Sequence, residues 1–213
     1  MNTLDALKSA YRSAETVVAG VRPTDYSKPT PCGEWDVRAL TNHLIGAIAG
    51  FPVMLRGEQP NWSADLLGDD PVASFKQAVE NNLNAWAAPG AVDQPTPFMP
   101  SMHLIDLNLC DAVVHTWDLA TATGQAHGIL DEVIQLTYEI WKEAPLDLSR
   151  KAGAFGPEVA VPESAPTIDR LVGLLGRRPN AELTRMYGGD FRHLEPLSAE
   201  QVERFNVQGV KHA

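Results

Sequence analysis

The chain has 213 residues and a formal net charge of -10, with 44% hydrophobic residues. That length and composition suit one substantial soluble core. The acidity disfavours a nucleic-acid partner, because binding phosphate needs a basic face, and it disfavours docking on an anionic membrane.

The N-terminus reads as a helix over about residues 3–19, with Leu4, Leu7, Ala10, Tyr11, Ala14 and Val18 on one apolar stripe. Its charges argue against a secretory signal. No stretch approaches the roughly 20 apolar residues that a membrane span needs. A cytoplasmic location follows as an expectation, with Cys32 and Cys110 as reduced thiols. The proline-rich loop VRPTDYSKPTPCGEW comes next, then Asp36 as N-cap of a second helix, VRALTNHLIGAIAGFPVMLRG, which Pro52 kinks or frays near its end. Residues 59–71 form a loop, 72–88 a third helix, and PGAVDQPTPFMP a second long loop. A fourth helix spans about 102–123 and stops before Gly124, a good C-cap residue. Further helices cover about 131–143 and 167–175, separated by FGPEVAVP, the best extended segment. In the tail, Ser198 with Gln201 makes a capping-box pattern for a short helix over 199–205. The fold class expected is all-α: an up-and-down four-helix bundle with extra short helices, residues 1–180, and a C-terminal extension, residues 181–213.

The chemistry centres on the fourth helix. Asp111 and His115 are four apart, so they share a face one turn from each other. A carboxylate and an imidazole at that spacing can grip one divalent ion. Leu107, Val114 and Trp117 flank them with apolar bulk, and an Asp buried there without a partner is costly. His43 sits among Leu40, Leu44 and Ala47 on the second helix and is the third candidate ligand. Two imidazoles and one carboxylate leave coordination positions open for water or substrate. The competing readings are an exposed ion pair for Asp111 and His115, and a satisfied core histidine for His43.

Other residues carry weaker signals. Trp35 and Asp36 are read as staple and cap of the second helix. Cys32 has no evident cationic neighbour and is read as a bystander, and Cys110 points roughly 100° away from Asp111. Asp118 is read as an ion-pair partner of Arg38 or another interhelical cation, with orientation of a ligand as the alternative. Trp117 is read as core, and His103 as an exposed helix-start residue. Asp169, Arg177 and Arg178 are read as solvated charges, the alternative being contact with an anionic substrate. His127, His193 and His212 receive no role.

The stretches PTPCGEWDVRALTNHLIG, DAVVHTWDLATATG, FGPEVAVP and DRLVGLLGRRP together resemble the actinobacterial mycothiol-dependent maleylpyruvate isomerase and DinB-like metal-binding family, over roughly the first 180 residues. The resemblance implies a four-helix bundle and a divalent metal, most commonly zinc. The family's second-helix histidine falls on His43, its carboxylate on Asp111 and the paired histidine on His115. Some members carry Glu where this chain has Asp111, so a shorter arm must bring the metal closer or reach it through water. The resemblance further implies mycothiol as co-substrate and isomerisation or S-transfer on small electrophiles. Nickel, iron and manganese suit the same donors as zinc. Three functions follow as expectations: a metal- and thiol-dependent enzyme, a metal-holding bundle without turnover, or a metal-free interaction module. The expected partners are a small thiol and an electrophile, with the chain a monomer or homodimer.

Overall fold

The computed structural model describes residues 1–179 apart from Glu34, Pro100 and Ala152. Among these residues there are seven α-helices and no strand. The all-α architecture is as expected. The tail helix anticipated over 199–205 lies outside the described residues.

Helix α1 (Thr3–Gly20) starts where the Asn2 side chain accepts from the Asp5 amide at 2.8 Å, and it buries Ala6, Leu7, Ala10, Tyr11, Ala14, Val17 and Val18. Helix α2 (Val37–Leu55) is capped by Asp36, whose carboxylate accepts from the Ala39 amide at 2.8 Å. Pro52 lies inside α2, which ends three residues later, and Arg56 closes the end by donating from Nη1 to the Pro52 carbonyl at 3.1 Å. Helix α3 (Pro71–Trp86) has proline in its first turn, where no intrahelical donor is needed, and Asp70 accepts from both Val72 and Ala73. Helix α4 (Ser101–Thr123) ends before Gly124, whose φ of 70° is the left-handed geometry of a C-cap glycine.

These four helices close into a ring: α1 packs on α4, α4 on α2, α2 on α3 and α3 on α1. The ring places α2 beside α4, although α3 lies between them in the chain. One buried polar network ties all four together. Asn108 of α4 donates to Tyr11 Oη of α1 at 2.8 Å, and its Oδ1 accepts from Asn82 and Trp86 of α3, each at 3.0 Å. Asn82 also donates to the Ile48 carbonyl of α2 at 2.8 Å. Such a network fixes helix register more tightly than apolar packing alone.

Helix α4 is the centre of the molecule. Every residue from 112 to 120 is buried, which is the signature of a helix enclosed on all sides rather than an amphipathic one. His115 and Asp118 fall inside that run and must therefore find polar partners within the protein.

Helix α5 (Asp131–Lys142) packs on α1 and α4. A short α6 (Asp147–Lys151), not anticipated from the sequence, follows it. Helix α7 (Thr167–Leu174) packs on α5. The FGPEVAVP segment does not join a ladder. Its Val159 amide instead donates to the Gly173 carbonyl at 2.9 Å, and Gly173 permits this approach because a Cβ there would stand 2.4 Å from Val161 Cγ2.

The end of α7 matters for the site. The Gly176 amide donates to Gly173 O at 3.0 Å and the Arg177 amide to Val172 O at 2.8 Å, the paired bonds of a Schellman turn. Gly176 takes φ 90°, and a Cβ there would lie 2.6 Å from the Gly156 Cα. Only glycine meets both conditions, and the resulting turn carries the Arg177 side chain back into the protein.

Candidate metal centre

The contact between α2 and α4 brings His43 to the face of α4 that carries Asp111 and His115. One nitrogen from each imidazole and one carboxylate oxygen lie within 4.8 Å of one another. Nε2 of His115 is 3.3 Å from Asp111 Oδ1, and Nε2 of His43 is 3.6 Å from the same oxygen. The two imidazoles meet edge to face, with centroids 4.9 Å apart. The second oxygen of the carboxylate, Asp111 Oδ2, is buried and has no hydrogen-bond partner. A carboxylate that faces two imidazole nitrogens through one oxygen and leaves the other buried and unpartnered fits a cation, which would satisfy it without further protein donors.

The centre is graded in exposure. The His115 side chain is 9% exposed, Asp111 18% and His43 29%, so access is from the His43 side. Burial opposes ionisation of Asp111, but the charge and hydrogen bonding of His115 and then His43 outweigh it and hold the carboxyl below the usual range. Burial likewise opposes the imidazolium of His115. Asp111, then Asp118 and Cys32, override it and push His115 well above the ordinary histidine value. The cluster is built to hold positive charge beside Asp111.

Behind His115 stands a second layer. Its Nδ1 is 3.0 Å from Oδ2 of Asp118, which is fully buried. Arg177 donates to that carboxylate through Nη2 at 3.0 Å and Nε at 3.4 Å. The same guanidinium donates to the Leu175 carbonyl at 3.1 Å and to Cys32 Sγ at 3.2 Å. Burial opposes the charge on both partners, but their mutual attraction lowers Asp118 and raises Arg177 from their usual values.

The loop before α2 roofs the site. The Arg38 amide donates to Tyr26 O at 3.0 Å and the Val37 amide to Lys28 O at 2.9 Å, so the loop folds back along the helix start. Thr30 braces its tip, donating to Trp35 O at 2.8 Å and accepting from the Cys32 amide at 3.2 Å. This holds the Trp35 indole 4.1 Å from the His43 ring and 5.9 Å from the His115 ring, centroid to centroid.

Several expectations need correction. Arg177 is not a solvated charge: it is 6% exposed and grips Asp118. Cys32 is not without a cation, since Arg177 provides one. Arg38 does not pair with Asp118 but with Asp65, at 2.7 Å on the surface. Trp35 lies against His43 besides flanking the helix cap. Asp118 does form a buried ion pair, with Arg177 from the turn after α7, and it also lies 3.0 Å from Nδ1 of His115. Trp117 is core and His103 is exposed, as expected, and Cys110 is buried. Burial pushes the Cys110 thiol up, so it is inert. A signal for Arg177 was present: a carboxylate at position 118, inside an apolar helix, demands a cation from elsewhere in the chain.

Uncharacterized proteins from two strains of Mycobacterium tuberculosis, CDC 1551 / Oshkosh and H37Rv, are each 28% identical over 187 residues, covering 83% of this chain and 98% of their own length. No solved structure matches the chain significantly. The family model for the mycothiol maleylpyruvate isomerase N-terminal domain matches residues 7–120, which include the loop before α2, His43, Asp111, His115 and Asp118. The chain therefore belongs to the mycothiol maleylpyruvate isomerase N-terminal domain family.

Proposed function

We propose that the chain is a divalent-metal-dependent enzyme of the mycothiol-dependent isomerase or S-transferase type, acting on small electrophiles in the cytoplasm. The observation that carries this reading is the Asp111 carboxylate, whose Oδ1 faces both imidazole nitrogens while its buried Oδ2 has no hydrogen-bond partner, in a family described by a mycothiol-dependent isomerase. His43, Asp111 and His115 are the proposed ligands, and zinc is the preferred metal. Residues 1–180 form the metal-binding unit in this reading, with 181–213 as an extension.

A bound metal supplies the charge that lets a coordinated thiol lose its proton and become a nucleophile. The protein's own residues do the rest. His43 and His115 would offer imidazole nitrogens from two helices, His115 giving up its proton as a cation binds, and Asp111 would contribute the one negative charge. Three protein donors leave room for an exchangeable ligand, as catalytic sites require. Access lies on the side of His43, the most exposed of the three. Trp35 covers that imidazole and narrows the approach, which limits water around a reacting thiolate. Asp118 holds His115 from behind so that its Nε2 faces the centre.

Elemental analysis of the purified chain, followed by mycothiol-transfer assays with small electrophiles, tests the reading. We expect one divalent ion per chain and thiol-dependent turnover that His115→Ala abolishes. Turnover unaffected by His115→Ala would refute the mechanism. Stoichiometric metal without turnover on any thiol would assign the bundle a structural or sensing role instead.

A further inference from the structure

Two sets of donor atoms overlap at His115. One is His43, Asp111 and His115; the other is Cys32, His115 and Asp118, and in each set the ligand atoms lie within 4.8 Å of one another. Donor count alone does not choose between them. The second set is chemically attractive, since a thiolate with an imidazole and a carboxylate suits zinc as well as two imidazoles and a carboxylate do.

What separates the two sets is Arg177. Its Nη2 stands 3.2 Å from Cys32 Sγ and 3.0 Å from Asp118 Oδ2, with Nε 3.4 Å from Oδ1. The guanidinium side chain is 7% exposed and keeps its charge at any relevant pH. Asp118 is thus neutralised already, and the lone pairs that a cation would need from Asp118 and Cys32 are engaged by a cation of the chain itself. A dication entering there would face a buried like charge at short range. The Asp111 side differs: there a carboxylate oxygen is buried with no hydrogen-bond partner.

We propose that Asp118 and Arg177 are a positioning pair that selects which of the two overlapping donor sets holds the cation. Asp118 engages Nδ1 of His115 and leaves Nε2 to face Asp111 and His43. Arg177 occupies the open edges of Asp118 and Cys32 and keeps both out of the coordination sphere. Arg177 comes from the turn after α7, outside residues 7–120 that match the family model, so a later segment of the chain completes the centre. This inference rests on the metal-centre reading given under Proposed function.

Cobalt(II) titration of the full chain tests it, because a thiolate ligand adds a ligand-to-metal charge-transfer band that nitrogen and oxygen ligands do not. The wild-type protein is expected to bind cobalt with ligand-field bands and no thiolate band, and Cys32→Ser to leave spectrum and affinity unchanged. Arg177→Met is expected to gain the thiolate band, and combining it with Cys32→Ser to remove the band again. Arg177→Lys retains the charge and is expected to show no thiolate band. Asp118→Asn is expected to weaken cobalt and zinc affinity roughly 10–100-fold, the usual effect of losing a partner that orients a ligand. A thiolate band in the wild type, or an Arg177→Met protein with wild-type spectrum and affinity, overturns the proposal. Should far-UV circular dichroism show Arg177→Met to be unfolded, Asp118→Asn decides: unchanged affinity refutes the pair and the stated loss supports it. A wild-type chain that takes up neither cobalt nor zinc overturns the metal centre itself, an outcome distinct from metal binding that ignores Arg177 and Asp118.

Discussion

The indole of Trp35 lies against the imidazole of His43, with centroids 4.1 Å apart and ring planes 35° from parallel. Trp35 is the residue before the N-cap of α2, and His43 lies within the same helix. The segment that starts the helix therefore also covers the exposed flank of the centre.

This contact gives an optical readout. Binding of a cation at His43 is expected to perturb the Trp35 ring and change the tryptophan emission of the chain. Trp35→Phe should bind zinc with little change in affinity yet lose most of that emission change. An undiminished response in Trp35→Phe would place the cation elsewhere.

Asp111 is the only carboxylate of the proposed ligand set. Asp111→Asn removes the charge while preserving the shape, and its zinc affinity is expected to fall by more than the roughly 10–100-fold typical of losing a partner behind a ligand. Competition with a chromophoric chelator measures this. The same variant should keep its helical circular dichroism, since the four-helix network runs through Asn108 and not through Asp111.

That network makes its own prediction. Asn108→Leu leaves Trp86 Nε1 without its acceptor, removes one of two acceptors from Asn82 Nδ2 and deprives Tyr11 of its donor. The expected loss is about 2–6 kcal/mol of unfolding free energy, at about 1–3 kcal/mol for each of the two buried groups left unsatisfied. Urea denaturation should show a lower midpoint with unchanged slope.

Gly176 is expected to be intolerant of a side chain. Alanine there must adopt φ near 90° and place its Cβ 2.6 Å from the Gly156 Cα. The strain and the clash together should cost about 2–4 kcal/mol. Because the turn aims Arg177, Gly176→Ala should also weaken zinc binding, which Gly90→Ala should not: Gly90 has φ 75° but nothing within 4 Å of an added Cβ.

Asp25 predicts part of the acid response. Hydrogen bonds from Arg22 and then Lys28 hold its carboxyl below the ordinary range. The folded value is depressed relative to the unfolded one, so its stabilisation is complete above about pH 4 and is lost as pH falls further, toward the folded value. Asp25→Asn should lower stability at pH 7 and flatten the loss of stability between pH 4 and pH 2, as followed by denaturation midpoints.

The sequence by itself determined every described α-helix except the short α6, several of their caps and the three proposed ligands. These rest on short-range physics: the 3.6-residue period, Asp36 and Gly124 at helix ends, and the four-residue spacing that puts Asp111 and His115 on one face. The placement of His43 among apolar neighbours was legible as facing inward or to an edge of the core, and it lies at the edge, 29% exposed. Only the tertiary structure decided that α2 and α4 are neighbours, that the loop before α2 folds over His43, and that Arg177 turns inward to meet Asp118, 59 residues away. Local patterns cannot supply such pairings. A buried charge states that it needs a partner, but which one reaches it depends on the closed ring of helices and on a glycine turn at the end of α7.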